Sequence, residues 1–106
     1  MNANFVTLSS TEKLDELFQK SGSEPIVLFK HSSTCPISFG VYEEVSNAKT
    51  DINIVIVQQS RDISNEITAR TGIRHESPQA IVLKNGVPIY CASHYDITAQ
   101  DIENSL

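Results

Sequence analysis

The sequence predicts an α/β domain built on a mixed sheet with helices on both faces. Three observations predict it. Two apolar runs without alternation, Ile26-Val27-Leu28-Phe29 and Ile52 to Val57 (INIVIV), read as strands covered on both sides. A helix-period stripe lies between them, so strand, helix and strand fall within the roughly 30 residues of a βαβ unit, whose strands run parallel. A third apolar run, Ala80 to Leu83, is followed by Asn85-Gly86, the strongest hairpin signal in the chain because both positions tolerate positive φ.

The elements follow in order. Phe5 to Leu8 is a candidate short strand. Ser9 and Glu12 have capping-box spacing, and Leu14, Leu17 and Phe18 then repeat at i, i+3, i+4 as one apolar stripe. Gly22 and Pro25 close that helix. Beyond the Ile26 strand, Pro36 suits the first turn of a helix, where its missing N–H costs nothing. Ile37, Val41, Val45 and Ala48 give that helix its buried stripe. Ser60 to Thr71 reads as a third helix, with Ile63 and Ile67 inward and Gly72 as its stop. A polar loop over residues 73–78 leads into the Ala80 strand, and Val87 to Cys91 returns as its antiparallel partner. Thr98 starts the last helix, with Ile97 and Ile102 spaced as a hydrophobic staple. The order (β)αβαβαββα is that of the thioredoxin fold: a mixed four-stranded sheet, with the short N-terminal strand as a candidate fifth.

A chain of 106 residues can bury one core, so a single domain over 1–106 is expected. Its hydrophobic fraction of 40% suits a soluble globular class. The formal net charge is −5, and the eight basic residues are scattered, which argues against nucleic acid as a partner. No apolar run approaches the ~18 residues of a membrane span. The N-terminus lacks a basic region followed by a long apolar one, so no signal peptide is expected and the cytoplasm is the expected compartment. In that compartment Cys35 and Cys91 are expected as free thiols. His31, His75 and His94 are dispersed with no ligand spacing to either cysteine, so no metal site is expected. Glu43-Glu44 reads as a solvated helix face.

The chemistry concentrates at Cys35. This residue follows a buried strand and precedes Pro36, which places it at a helix N-terminus, where unpaired N–H groups and the positive end of the dipole favour a thiolate. Lys30 and His31 are near in sequence and are candidates to add positive charge. Ser32, Ser33 and Thr34 supply hydroxyls. Ser38 stands where a dithiol enzyme has its second cysteine. A cysteine there could resolve a mixed disulfide from within the chain; a serine hydroxyl cannot, but it can donate a hydrogen bond toward the Cys35 sulfur.

Thr34-Cys35-Pro36-Ile37-Ser38 resembles a glutaredoxin-type TCPxC site whose second cysteine has become serine. The longer stretch from Phe29 to Ser38, FKHSSTCPIS, is more similar to the monothiol bacilliredoxins, thioredoxin-fold proteins of the bacillithiol system. Ser93-His94-Tyr95-Asp96-Ile97-Thr98 resembles that family's segment before its last helix, and Ser77-Pro78-Gln79 falls at its proline loop. The likeness covers nearly the whole chain.

The resemblance implies a monothiol disulfide exchanger that strips bacillithiol from client proteins. Cys35 would be the nucleophile, with Thr34, Pro36 and Ser38 completing the catalytic motif. Lys30, His31, Ser77 and Pro78 would lie on the substrate side, with a cis bond at Pro78 and the Ser77 backbone pairing with substrate. Bacillithiol would be a co-substrate, with no tightly bound cofactor. The partners would be a low-molecular-weight thiol, thiolated clients and, as one route of regeneration, a reductase. Two alternatives stay open: a non-catalytic binding module or iron–sulfur carrier, and glutaredoxin-like exchange with another small thiol. Cys91 is expected at the end of the last strand, at the Cys35 end of the sheet but two strands away. That is roughly 10 Å at the usual ~4.8 Å strand spacing, beyond the ~7 Å Cα limit of a disulfide. A half-buried strand cysteine is the expected reading.

Overall fold

The computed structural model describes residues 2–106. The elements are β1 (Asn4–Thr7), α1 (Thr11–Lys20), β2 (Ile26–His31), α2 (Pro36–Val45), β3 (Asp51–Ile56), α3 (Arg61–Thr71), β4 (Gln79–Lys84), β5 (Val87–Ser93), a 3-10 turn (His94–Asp96) and α4 (Ala99–Asn104). The strands form one sheet in the order β1-β3-β2-β4-β5. β1 and β2 both run parallel to β3; β4 is antiparallel to β2, and β5 to β4. The sheet therefore has five strands, and the candidate N-terminal strand is one of them, one residue earlier than expected.

The non-alternating strands are explained by two cores. Successive side chains on a strand point to opposite faces. Val27 and Phe29 of β2, Ile52 and Ile54 of β3, and Ala80 and Val82 of β4 pack with Val41 and Val45 of α2 and with Ile102 of α4. Ile26 and Leu28, Val55, and Ile81 and Leu83 face the other way, onto Leu14 and Leu17 of α1 and Ile63 and Ile67 of α3. The apolar runs of the central strands thus show no alternation because a helix layer covers each side, with Lys30, Asn53 and Gln79 as buried polar exceptions.

Several local details differ from expectation. Ser10, not Ser9, caps α1, its hydroxyl accepting from Lys13 N–H at 3.1 Å. Gly22 does not cap α1 in a left-handed conformation; Ser21 ends that helix and receives the β4–β5 turn instead, with Asn85 N–H on its carbonyl at 2.7 Å and Gly86 N–H on its hydroxyl at 2.9 Å. α2 stops at Val45, so Ala48 is buried beyond the helix end rather than on its stripe. Glu44 is more than a solvated residue: its carboxylate accepts from Ala99 N–H at 3.0 Å, at the first turn of α4. Asn85 and Gly86 have φ of 55° and 75°, the left-handed pair that a two-residue hairpin needs.

Candidate active site

β2 ends at His31 and α2 begins at Pro36, leaving a short loop that carries Cys35 as the N-cap of α2. Its backbone is extended there (φ −97°, ψ 122°), and Pro36 fills the first helical position. No side chain caps this helix, so the first-turn amides remain available to the sulfur. The Cys35 thiol is shifted below its ordinary range. The largest cause is the Ser38 N–H, opposed by partial burial and reinforced by the Ile37 N–H and the Ser38 hydroxyl. All three donors stabilise the thiolate. Ser38 is completely buried, and its oxygen also accepts from Ser32 N–H at 3.4 Å, joining the loop to the helix under the thiol.

A residue that sequence reasoning missed braces the same loop. Gln58, in the turn after β3, donates from Nε2 to Ser32 Oγ (2.6 Å) and Thr34 Oγ1 (3.0 Å), and its Oε1 accepts from Ser33 N–H at 3.2 Å. A backbone N–H can only donate, which fixes the amide oxygen at Ser33 and turns the NH₂ toward the two hydroxyls. One side chain thus holds three consecutive residues before the nucleophile. No periodicity marks Gln58; only its place beside the next strand end could have pointed to it.

Lys30 and His31 are placed otherwise than expected. Neighbours on a strand face opposite ways, and Lys30 points away from α2. It is fully buried, its Nζ against Thr68 Oγ1 (3.1 Å) and His75 Nδ1 (3.2 Å). Burial lowers its pKa to about 8, partly offset by Cys91. Lys30 therefore offers no surface contact to a substrate. His31 shares the α2 side with Phe29 and packs near the Tyr42 ring, at 5.3 Å between centroids. Desolvation lowers its pKa, so it is neutral at neutral pH. Neither residue supplies the positive charge at the thiol that their sequence positions suggested.

Pro78 precedes β4, and the Ser77–Pro78 peptide is cis. Lys30 pairs in register with Gln79, so Pro78 lies at the sheet end from which the Cys35 loop departs. The Pro78 carbonyl accepts from His94 N–H at 3.0 Å, which ties the 3-10 turn to the same end. Shallow cavities flank α2, two of them lined in part by aromatic side chains. One, of about 370 Å³, is lined by Phe5, His31, Phe39 and Tyr42 among others. The other, of about 280 Å³, lies between Gly40 and Tyr95. Cys35 lines neither.

Cys91 does not end its strand; β5 continues to Ser93. A bulge between Val82 and Leu83 shifts the pairing so that Cys91 lies opposite Ile81. Ile81 faces α1 and α3, so Cys91 lies on the side of the sheet away from α2 and Cys35. It is an exposed free thiol. Among the described residues no three His, Cys, Asp or Glu side chains gather as a metal site. No helix there is long and apolar enough to cross a membrane.

The same architecture recurs in solved proteins. The chain superposes on thioredoxin from Trypanosoma brucei brucei with a TM-score of 0.75 at 10% identity, covering 99% of this chain and 89% of that one. For Schistosoma mansoni thioredoxin the TM-score is 0.72 at 12% identity, with 95% and 91% covered. These likenesses show the thioredoxin fold. A nearer match is a structure described as a candidate oxidoreductase with a thioredoxin fold: TM-score 0.86, 31% identity, 95% of this chain and 92% of that one. The family model of monothiol bacilliredoxin BrxC matches residues 6–102. With its single donor-rich thiol and serine at position 38, the chain belongs to the monothiol bacilliredoxin family, thioredoxin-fold proteins of thiol redox chemistry.

Proposed function

We propose that this protein removes bacillithiol from protein mixed disulfides through Cys35 alone. The observation that carries the reading is Cys35 as the N-cap of α2, with its pKa lowered by Ser38, the residue that stands where a resolving thiol would otherwise be. The Cys35 thiolate attacks the bacillithiol sulfur of the mixed disulfide. A Cys35–bacillithiol disulfide forms, the client sulfur leaves as a thiolate and takes a proton from water. With serine at position 38 no internal thiol can break the new bond. A second bacillithiol thiolate attacks it, releasing oxidised bacillithiol and regenerating the Cys35 thiolate. The cis Ser77–Pro78 segment, at the same sheet end, is the docking strand for the substrate backbone.

Intact-protein mass after treatment with oxidised bacillithiol tests this. One adduct is expected on wild type and none on Cys35→Ser. Equal uptake from glutathione disulfide, at equal rate, would overturn bacillithiol selectivity and leave general thiol exchange standing.

A further inference from the structure

Lys30 is a buried charge that the exchange chemistry does not use. A desolvated ammonium is costly unless its protons are bonded. Its two partners, Thr68 Oγ1 and His75 Nδ1, are neutral. The Thr68 hydroxyl donates onward to the Ser64 carbonyl at 3.3 Å, leaving a lone pair for Lys30. An ammonium has no lone pair, so the His75 Nδ1 that faces it is unprotonated and the ring proton sits on Nε2. Ser64 Oγ reaches the same nitrogen at 3.3 Å. The charges around His75 agree: after burial, Lys30 and Arg61 lower its pKa and Glu76 opposes them.

What this cluster holds is the loop that leads to Pro78. His75 lies in that loop, α3 supplies Ser64 and Thr68, and the central strand supplies Lys30, so one ammonium joins three elements. The loop has few other ties. Gln79 Nε2 donates to the Arg74 carbonyl at 3.0 Å. Ser77 Oγ and Gln79 Oε1 are buried without a partner. Lys30 does not figure among the groups that shift Cys35, whereas Cys91 does figure among those that act on Lys30.

We infer that Lys30 is a positioning residue for substrate docking: by holding His75 it fixes the loop that presents Ser77 and Pro78, and it touches neither substrate nor Cys35. The inference rests on the exchange function proposed above. It separates two quantities that a general loss of structure would move together, the KM for the mixed disulfide and the reactivity of Cys35.

The test compares Lys30→Met, His75→Leu and His75→Asn in removal of bacillithiol from a model mixed-disulfide protein, with iodoacetamide labelling of Cys35 alongside. Lys30→Met and His75→Leu are expected to raise KM about five-fold, the scale of one lost hydrogen bond, with kcat and Cys35 labelling within about twofold of wild type. His75→Asn keeps an acceptor near the Nδ1 position and restores KM. An unchanged KM in His75→Leu, or an equal fall of kcat and labelling in both variants, would overturn the inference. If Lys30→Met does not fold, His75→Leu decides alone, because His75 is at the surface. Wild type without any exchange activity would remove the functional reading itself. The structural half is then read from amide hydrogen exchange at Ser77 and Gln79, and unchanged rates in His75→Leu would sink it.

Discussion

The chain carries two thiols shifted in opposite directions. Cys35 lies below its ordinary range and Cys91 above it. Residue exposure does not predict the difference, since Cys91 is the more exposed residue while its thiol is the more desolvated. Donors do. Cys35 sits where the Ser38 and Ile37 amides and the Ser38 hydroxyl converge. Cys91 sits on an edge strand, where burial of the thiol and the Glu76 charge disfavour the thiolate more than Lys30 favours it. A lysine within electrostatic reach is a weaker activator than the open end of a helix, where amide and hydroxyl donors face the sulfur.

The largest expected effect breaks the pair outright. Cys35→Ser should abolish disulfide exchange, while Cys91→Ser should leave rate and adduct unchanged. In Cys91→Ser, alkylation of Cys35 should reach half its maximum below the ~8.5 of an ordinary thiol; in Cys35→Ser, Cys91 should do so above it. The sign follows from the shifts: a lowered pKa supplies thiolate at lower pH. The ratio of the two rates is therefore greatest at pH below the Cys35 midpoint and narrows between the Cys35 and Cys91 midpoints. A wild-type monomer that oxidises to a species two hydrogens lighter would contradict the placement of the two cysteines on opposite sides of the sheet.

The next effect concerns what Ser38 withholds and what it gives. Ser38→Cys puts a second thiol one turn from the first, so the bacillithiol adduct should cease to accumulate and an internal disulfide should replace it, read by mass. Ser38→Ala removes one donor and keeps the amides. The Cys35 midpoint should rise, and labelling at neutral pH should slow about three- to five-fold, the scale of one hydrogen bond. An unmoved midpoint would assign the whole shift to the backbone.

How far these features were legible in the sequence depended on whether a local pattern carried them. The element order followed from periodicity, and Cys35 was legible because strand end, cysteine and proline are adjacent. The direction of Lys30 was not legible, because IVLF is apolar on both faces and shows no alternation to set the parity of the next residue. The face of Cys91 was not legible for a related reason. Counted straight from the Asn85-Gly86 turn, Cys91 would pair with Ala80 and face α2; the bulge at Val82/Leu83 moves it opposite Ile81 and turns it to the other side. Gln58 had no pattern at all, since its partners lie more than twenty residues earlier in the chain.

Gln58 offers the smallest effect and the finest test of how local the activation of Cys35 is. Its three hydrogen bonds are exposed, so each exchanges with water and is worth little to global stability. Their consequence is geometric: they hold residues 32–34 and so the approach of the sulfur to the α2 amides. Gln58→Ala should leave the unfolding midpoint unchanged, raise the Cys35 midpoint less than Ser38→Ala does, and slow labelling at neutral pH about twofold, less than the loss of one full hydrogen bond. Gln58→Glu keeps an acceptor for Ser33 N–H, and the Ser32 and Thr34 hydroxyls can turn to donate to it. It adds a negative charge near the thiolate, so its Cys35 midpoint should rise above that of Gln58→Ala. Should both variants titrate like wild type, the loop would be a passive connector, and the contrast between the two thiols would reduce to the first turn of α2 alone.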